Sequence, residues 1–247
     1  ATMNKIIRGR NANTKKVKTL FVAQVILGVM PVLLLILFVW KKMYQTPIVG
    51  TVFIILIFLC NLAYAFLARC YAVLNSGVKG ERRLFRTVKK LHGTNIVFHN
   101  LPVRYKRGRS ELDMLIVCHA GVLIIEVKNH SGTISGSWKD DKWTQRKHYR
   151  DGKVTETMMD NPIKQMRRQR DIVKSILNAA GENVWIDSVL YFSSPNARLK
   201  LSLRENDYVC CESSELLDFL KSYDSGETLS KSRMEHIAQI LRDSAGI

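Results

Sequence analysis

Two long apolar runs open the chain and are followed by a segment of alternating and helical patterning. Thr19 to Trp40 carries no charge and only Thr19 and Gln24 as polar side chains. At 1.5 Å per residue it is long enough to cross a hydrocarbon core of roughly 30 Å. A second run, Ile48 to Ala68, follows the short connector Lys41 to Pro47, with Asn61 as its one strongly polar residue. The pair predicts a transmembrane hairpin with both ends on one side, and Asn61 and Gln24 are placed to bond between the helices. From Gly77 the pattern becomes amphipathic. Leu84, Val88 and Leu91 recur at helical spacing, Gly93 is a stop signal, and Glu81 falls on the apolar face, where a carboxylate needs a partner.

Beyond that helix the pattern alternates strands and helices. Ile96 to Leu101 predicts a short strand, followed by a basic loop from Arg104 to Ser110. Met114 to His119 and Val122 to Val127 predict a hairpin joined at Ala120-Gly121. Asn129 to Gly136 is turn-like, and Trp138 and Trp143 sit in what read as small extra strands around a turn at Asp151-Gly152, the tryptophans serving as packing. Asn161-Pro162 predicts a helix N-terminus with Asn as cap and Pro at the first position, running to about Ala180. Val184 to Phe192 and Tyr208 to Cys211 predict further strands. Ser214 to Tyr223 and Ser232 to Arg242 predict closing helices, the last opening with a Ser232-x-x-Glu235 capping box. The order is that of an α/β domain with a mixed central sheet flanked by helices.

Charge sharpens the division. Of the 38 Lys and Arg residues, nine lie in residues 1–75, which hold none of the 21 acids, so the net +17 splits as +9 and +8. The expected domains are a basic arm and hairpin over 1–75, residues 1–18 being an unfolded arm, and a domain over 76–247. The basic flanks, against Lys41 and Lys42 in the connector, place both termini in the cytoplasm by the positive-inside rule, in the inner (plasma) membrane. The domain's own surplus favours polyanions as partners, and equally serves solubility or attraction to anionic lipid. The five cysteines show no zinc-ligand spacing and are expected as free thiols. No phosphate loop, Gly-x-Ser-x-Gly elbow or internal repeat occurs, which argues against nucleotide hydrolysis and esterase chemistry.

Candidate chemistry gathers at Ile124 to Lys128. Glu126 and Lys128, two apart on a strand, share one face, and Asp113 at the start of the preceding strand lies near the same sheet end if the two strands pair directly. Two carboxylates and a lysine suit a divalent cation held by oxygen ligands beside a group that orients water. Arg82, Arg86 and Lys90 on the first amphipathic helix, Arg104, Lys106, Arg107 and Arg109 in the basic loop, and Arg167 and Arg168 on the second helix are candidate phosphate contacts or a solvated surface.

Gly80-Glu81, Glu111-Leu112-Asp113, the run Gly121 to Gly132 (GVLIIEVKNHSG) and Asn161-Pro162-x-x-Gln165 together resemble the nuclease-related domain family, which is similar to the PD-(D/E)XK nucleases. The resemblance covers about Gly77 to Tyr223. It implies an αβββαβ core, Asp113 and Glu126 as Mg²⁺ (or Mn²⁺) ligands, Lys128 positioning or activating water, and Glu81 and Gln165 supporting the site. The Val127 carbonyl is a further candidate ligand. The expectation is a membrane-tethered, metal-dependent nuclease acting on DNA, in defence against foreign DNA or in DNA processing. A homo-oligomer or a membrane-protein partner is compatible with it. The alternative is a non-catalytic nucleic-acid-binding or scaffold module.

Overall fold

A computed structural model of the chain describes residues 4–9 and 12–247. They form two compact units: Asn11–Val78, and Lys79–Ile247 together with the N-terminal strand.

The first unit is helical. Helix α1 spans Ala12–Trp40 and helix α2 spans Pro47–Val88, with a 3₁₀ turn at Met43–Gln45 between them. Both are long and apolar enough to cross a membrane, and the side chains of their apolar stretches are open rather than packed inside the protein. Gly28 allows close approach, since a Cβ there would lie 3.4 Å from the Tyr64 ring. The Asn61 amide donates 2.8 Å to the Ile57 carbonyl of its own helix, which satisfies it without Gln24. The second apolar run and the amphipathic segment from Gly77 belong to one helix: no proline follows Pro47 in α2, and Gly77 and Gly80 each cost only about 1 kcal/mol.

The second unit is built on a six-stranded mixed sheet in the order β1-β2-β3-β4-β8-β10. Its strands are β1 (Lys5–Arg8), β2 (Ile96–Tyr105), β3 (Gly108–Cys118), β4 (Gly121–Lys128), β8 (Ile186–Phe192) and β10 (Tyr208–Cys210). β3 runs antiparallel to both its neighbours, β2 and β4, and β4, β8 and β10 run parallel. The apolar run of β4 is buried throughout because this central strand is covered on both faces. One face packs under α3 (Pro162–Ala179) and α5 (Lys231–Ala245), with Leu115, Ile124, Val173 and Ile237 in that core. The other packs under the end of α2 and beside α4 (Ser213–Ser222), with Leu84, Ile125, Val189 and Leu216. A four-stranded sheet, β7-β6-β5-β9, is inserted between β4 and α3 and completed after β8. It consists of β5 (Gly132–Ser137), β6 (Lys142–His148), β7 (Val154–Asp160) and β9 (Ala197–Ser202). Trp143, fully buried, anchors it to Ile163, Met166 and Phe192.

Several local expectations are corrected. The basic arm is not wholly unfolded: Lys5–Arg8 pairs parallel with Ile96–His99. Residues 104–110 are not a free loop, since Arg104 and Arg109 pair as strand partners and only Lys106 and Arg107 form the turn. The β3–β4 turn falls at His119-Ala120, one residue earlier than expected, with Cys118 opposite Gly121. Gly132–Ser137 is a strand rather than a turn, and β9 adds a strand that was not expected, although its Ala197, Leu199 and Leu201 alternate with Arg198, Lys200 and Ser202. Helix α5 is capped by Ser230, whose hydroxyl accepts from the Arg233 amide at 3.2 Å, so the Ser232 capping box does not form. Asn161 does cap α3, accepting from the Ile163 amide at 2.9 Å. All five cysteines are free.

Candidate active site

The β3–β4 register pairs Met114 with Ile125, which brings Asp113 opposite Glu126. Side chains alternate across a strand, so Glu126 and Lys128 share the face that carries Ile124, the face covered by α3. That helix presents Gln165 and Gln169, one turn apart, to the same spot.

The hydrogen bonds form one network. Lys128 Nζ donates 2.6 Å to Glu126 Oε1 and 3.0 Å to Gln165 Oε1. The Gln165 amide donates 2.7 Å to the same Glu126 Oε1, and the Gln169 amide donates 2.8 Å to Glu126 Oε2. Glu126 is 2% exposed, so its charge is removed from water and is held by these donors. Asp113 Oδ2 accepts the Val127 backbone N–H at 2.8 Å. Within a strand the N–H and C=O of one residue leave on the same edge, so the Val127 carbonyl also faces the Asp113 side. The neighbouring Lys128 carbonyl faces the other way and accepts from the Ser193 amide at 2.9 Å.

Glu81 enters from the opposite face, at the end of α2, and is buried. The Asn100 amide donates to its Oε2 at 3.4 Å. Asn100 has a φ of 56°, a left-handed kink in β2 that asparagine tolerates better than most residues. Beside it, Gly80 is packed so closely that a Cβ would lie 3.0 Å from both Asn129 and Ser193. Arg83 bridges these elements, donating to Asn129 Oδ1 at 3.1 Å and to the Ser193 carbonyl at 2.7 Å. Burial first, then the Glu126 charge and more weakly that of Glu81, push the Asp113 carboxyl well above the usual carboxylate range. The Val127 N–H and the Lys128 ammonium oppose that rise without cancelling it. Asp113 and Glu126 thus share a largely buried place with the Lys128 ammonium, and burial together with the neighbouring carboxylates disfavours the charged form of Asp113.

The donor set fits a hard cation. Asp113, Glu126 and a backbone carbonyl are all oxygen ligands, and Mg²⁺ is commonly held by one or two carboxylates with water filling the rest of its octahedron. Among the described residues no group of three His, Cys, Asp or Glu side chains comes together at ligating distance, so protein ligands alone would not enclose a metal.

The basic residues divide. Lys106 and Arg107 of the β2–β3 turn join Lys164, Arg167 and Arg168 of α3 around one open cavity of about 510 Å³. Arg168 is exposed there, whereas Arg167 is already held by Asp207 at 2.8 and 3.0 Å. Arg104 and Arg109 are exposed and face each other across the hairpin. Arg82 and Arg86 are exposed on a separate element, α2, and Lys90 is exposed in the turn just after it. Gln169 and Asn100 were not singled out from the sequence. The spacing of Gln165 and Gln169 was visible without a role for the second, and nothing local marks Asn100.

Residues 76–193 match the nuclease-related domain family. An uncharacterized protein of Bacillus anthracis is similar to the chain, 35% identical over 71 residues, which cover 28% of this chain and 34% of that protein. The chain therefore spans about a third of the length of the curated relative it matches. No solved structure matches it.

Proposed function

We propose, taking residues 76–193 as a nuclease-related domain, that this chain is a membrane-anchored, divalent-metal-dependent nuclease hydrolysing phosphodiester bonds of DNA at the inner membrane. The observation that carries this reading is the Lys128 ammonium, 2.6 Å from Glu126 and on the same face, with Asp113 opposite in register. Residues 1–75 are the anchor and residues 76–247 the cytoplasmic domain. Both ends of the hairpin connect to the same compact unit, which agrees with a shared side, and the basic flanks favour the cytoplasm.

Asp113, Glu126 and the Val127 carbonyl would hold the metal, and a bound Mg²⁺ or Mn²⁺ would neutralise charge on the phosphodiester and make a water more acidic. Lys128 is placed to orient a water by donating to it and to offset negative charge that builds on the phosphoryl oxygens. Gln165 accepts from Lys128 and fixes the ammonium, and Gln169 fixes Glu126. The cavity of Lys106, Arg107 and Arg168 holds the backbone without reading sequence.

A second reading is a non-catalytic nucleic-acid-binding module. It is favoured by one observation: both Glu126 oxygens are already engaged by side-chain donors. Incubating the purified full chain with supercoiled, linear and single-stranded DNA and with RNA, in Mg²⁺, Mn²⁺ or EDTA, separates the two. Metal-dependent cleavage supports the enzyme. Binding that ignores metal, with no cleavage and no metal-induced shift in melting temperature, removes it.

A further inference from the structure

The inserted sheet encloses a cavity of about 560 Å³ bounded by β5, β6 and β9, within the usual range for a small-ligand pocket. Arg146, Lys147, His148 and Arg198 line it, together with Tyr149, and no lining residue is Asp or Glu. Of Arg146, Lys147 and Arg198, only Arg146 has a carboxylate partner among the described residues, Glu156 at 3.4 Å, and both side chains are more than half exposed, a pairing worth little.

Its floor is tightly built. Gly132 has a φ of +85°, and a Cβ there would stand 2.3 Å from the Arg146 carbonyl, so only glycine lets β5 and β6 close at this point. The Gly132 amide donates 2.8 Å to the Asn196 carbonyl, joining the β9 side. The Gln145 amide donates 2.7 Å to the Ser131 carbonyl and pins the segment between cavity and site. Ser131 lies three residues after Lys128, which sets a separation of at most about 10 Å.

The chemistry of the wall points to one ligand class. Arginines and a lysine without competing acids suit phosphate. Tyr149 and Trp185 are the aromatic side chains of residues 79–247 most open to solvent, at 49% and 56%. Trp185 already donates to Asp187 at 2.9 Å, so Tyr149 is the one that combines an open ring with a basic cavity. A ring among cations is a stacking platform for a base, and a base is available for stacking on protein only when it is unpaired.

We propose that this cavity binds an unpaired nucleotide of the strand that enters the candidate active site, with Arg198 and Arg146 on phosphate and Tyr149 stacked on the base. The proposal rests on the nuclease reading for its choice of polymer, and it assigns single-stranded or frayed nucleic acid as the preferred substrate.

The test uses the full chain in detergent micelles and EDTA, so that binding is measured without cleavage. A fluorescent oligothymidylate and a blunt duplex of equal length are titrated against wild type, Arg198→Ala, Tyr149→Ala and Tyr149→Phe, each with its melting temperature recorded. Tyr149→Ala is expected to weaken the single strand by about fivefold or more at unchanged melting temperature, with Tyr149→Phe close to wild type. Arg198→Ala is expected to lower the salt slope for the single strand by about 0.7. Duplex affinity should stay within about twofold in every variant, the scatter left by substitutions outside its contacts. Thymidine 5′-phosphate should compete better than glycerol phosphate. The proposal is overturned if wild type does not bind the single strand, if single strand and duplex weaken alike, if the variants change nothing, or if glycerol phosphate competes equally. Cleavage with Mg²⁺ or Mn²⁺ is scored separately. Selective loss without any cleavage keeps the nucleotide site and removes the nuclease reading, while cleavage without selective loss keeps the nuclease and removes the site.

Discussion

The Gln169 amide donates 2.8 Å to Glu126 Oε2, while the Gln169 carbonyl oxygen, fully buried, has no hydrogen-bond partner among the described residues. A buried glutamine that leaves one of its own groups unsatisfied is retained at a cost of about 1–3 kcal/mol, which marks the other group as the useful one. Gln169→Leu removes the orphan oxygen, a gain, and strips the buried Glu126 Oε2 of a donor, a larger loss, so stability should fall by about 1–3 kcal/mol. Cleavage should fall by more than that, because Glu126 loses the group that holds one oxygen. Melting temperature and cleavage rate measured side by side check this; equal small changes in both would make Gln169 a packing residue.

Glu126 and Lys128 should separate in their effects. Glu126→Gln removes charge while keeping shape, so the shift in melting temperature produced by Mg²⁺ or Mn²⁺ should shrink and cleavage should be lost. Lys128→Ala should lose cleavage but keep or enlarge that shift, because an ammonium is no ligand and repels the cation. Loss of the metal-induced shift in both variants would contradict different roles for the two side chains.

Asp113 sets a pH dependence in the metal-free protein. Its carboxyl has an ordinary value of 3.8 when unfolded and is raised well above this in the fold by burial and by Glu126. Between those values the native state binds more protons than the unfolded one. The stability contributed by the neutral form is therefore complete below the unfolded value and is lost as pH rises through the folded value. In EDTA the melting temperature should thus rise on acidification from neutral pH toward the mildly acidic range. Asp113→Asn should flatten that rise and stabilise the metal-free protein at neutral pH, and a rise that survives the substitution would assign it to other groups.

The N-terminal strand should carry real stability. Besides its ladder with β2, Asn4 donates 3.0 Å to the Leu91 carbonyl, Lys5 pairs with Glu235 at 2.9 Å and Arg8 lies 5.0 Å from the Phe85 ring centroid. At Gly9 a Cβ would clash with the Asn100 carbonyl oxygen, and the Asn100 side chain donates to Glu81. Gly9→Val in the full chain is expected to cost about 1–3 kcal/mol through overpacking, a fall in melting temperature of several degrees for a unit of this size. A fragment starting at residue 76 lacks this strand and should melt lower than the full chain's domain. An unchanged melt for Gly9→Val would return β1 to a loosely attached arm.

Phosphate contact by the cavity between the β2–β3 turn and α3 has a salt signature. Replacing Lys106, Arg107 and Arg168 together with Ala should weaken DNA uniformly across sequences and flatten the dependence of log affinity on log salt by up to about three. The same triple change at Arg82, Arg86 and Lys90, around the end of α2, should do less. Equal effects would mean that the whole basic surface acts diffusely.

The apolar runs, the Asn161-Pro162 cap and the buried β4 were legible in the sequence because each rests on local periodicity or on a capping signal, and Asp113 was legible as lying near the Glu126 end of the sheet; the turn one residue earlier than expected is what sets the two opposite each other. Glu81 was visible as a carboxylate on an apolar face. Residues distant in sequence decided the rest. The four residues of β1 are too few and too basic to announce a strand, and they become one because β2 presents an open edge. Asn100 meets Glu81, and Gln169 meets Glu126, across 19 and 43 positions of chain. Lys106 and Arg107 share a cavity with Arg168, although as candidate phosphate contacts in the sequence they belong to separate segments. Local patterning specifies which face of each element is apolar, whereas the partner of a buried polar group is set by how the elements pack, and only the tertiary structure supplies that.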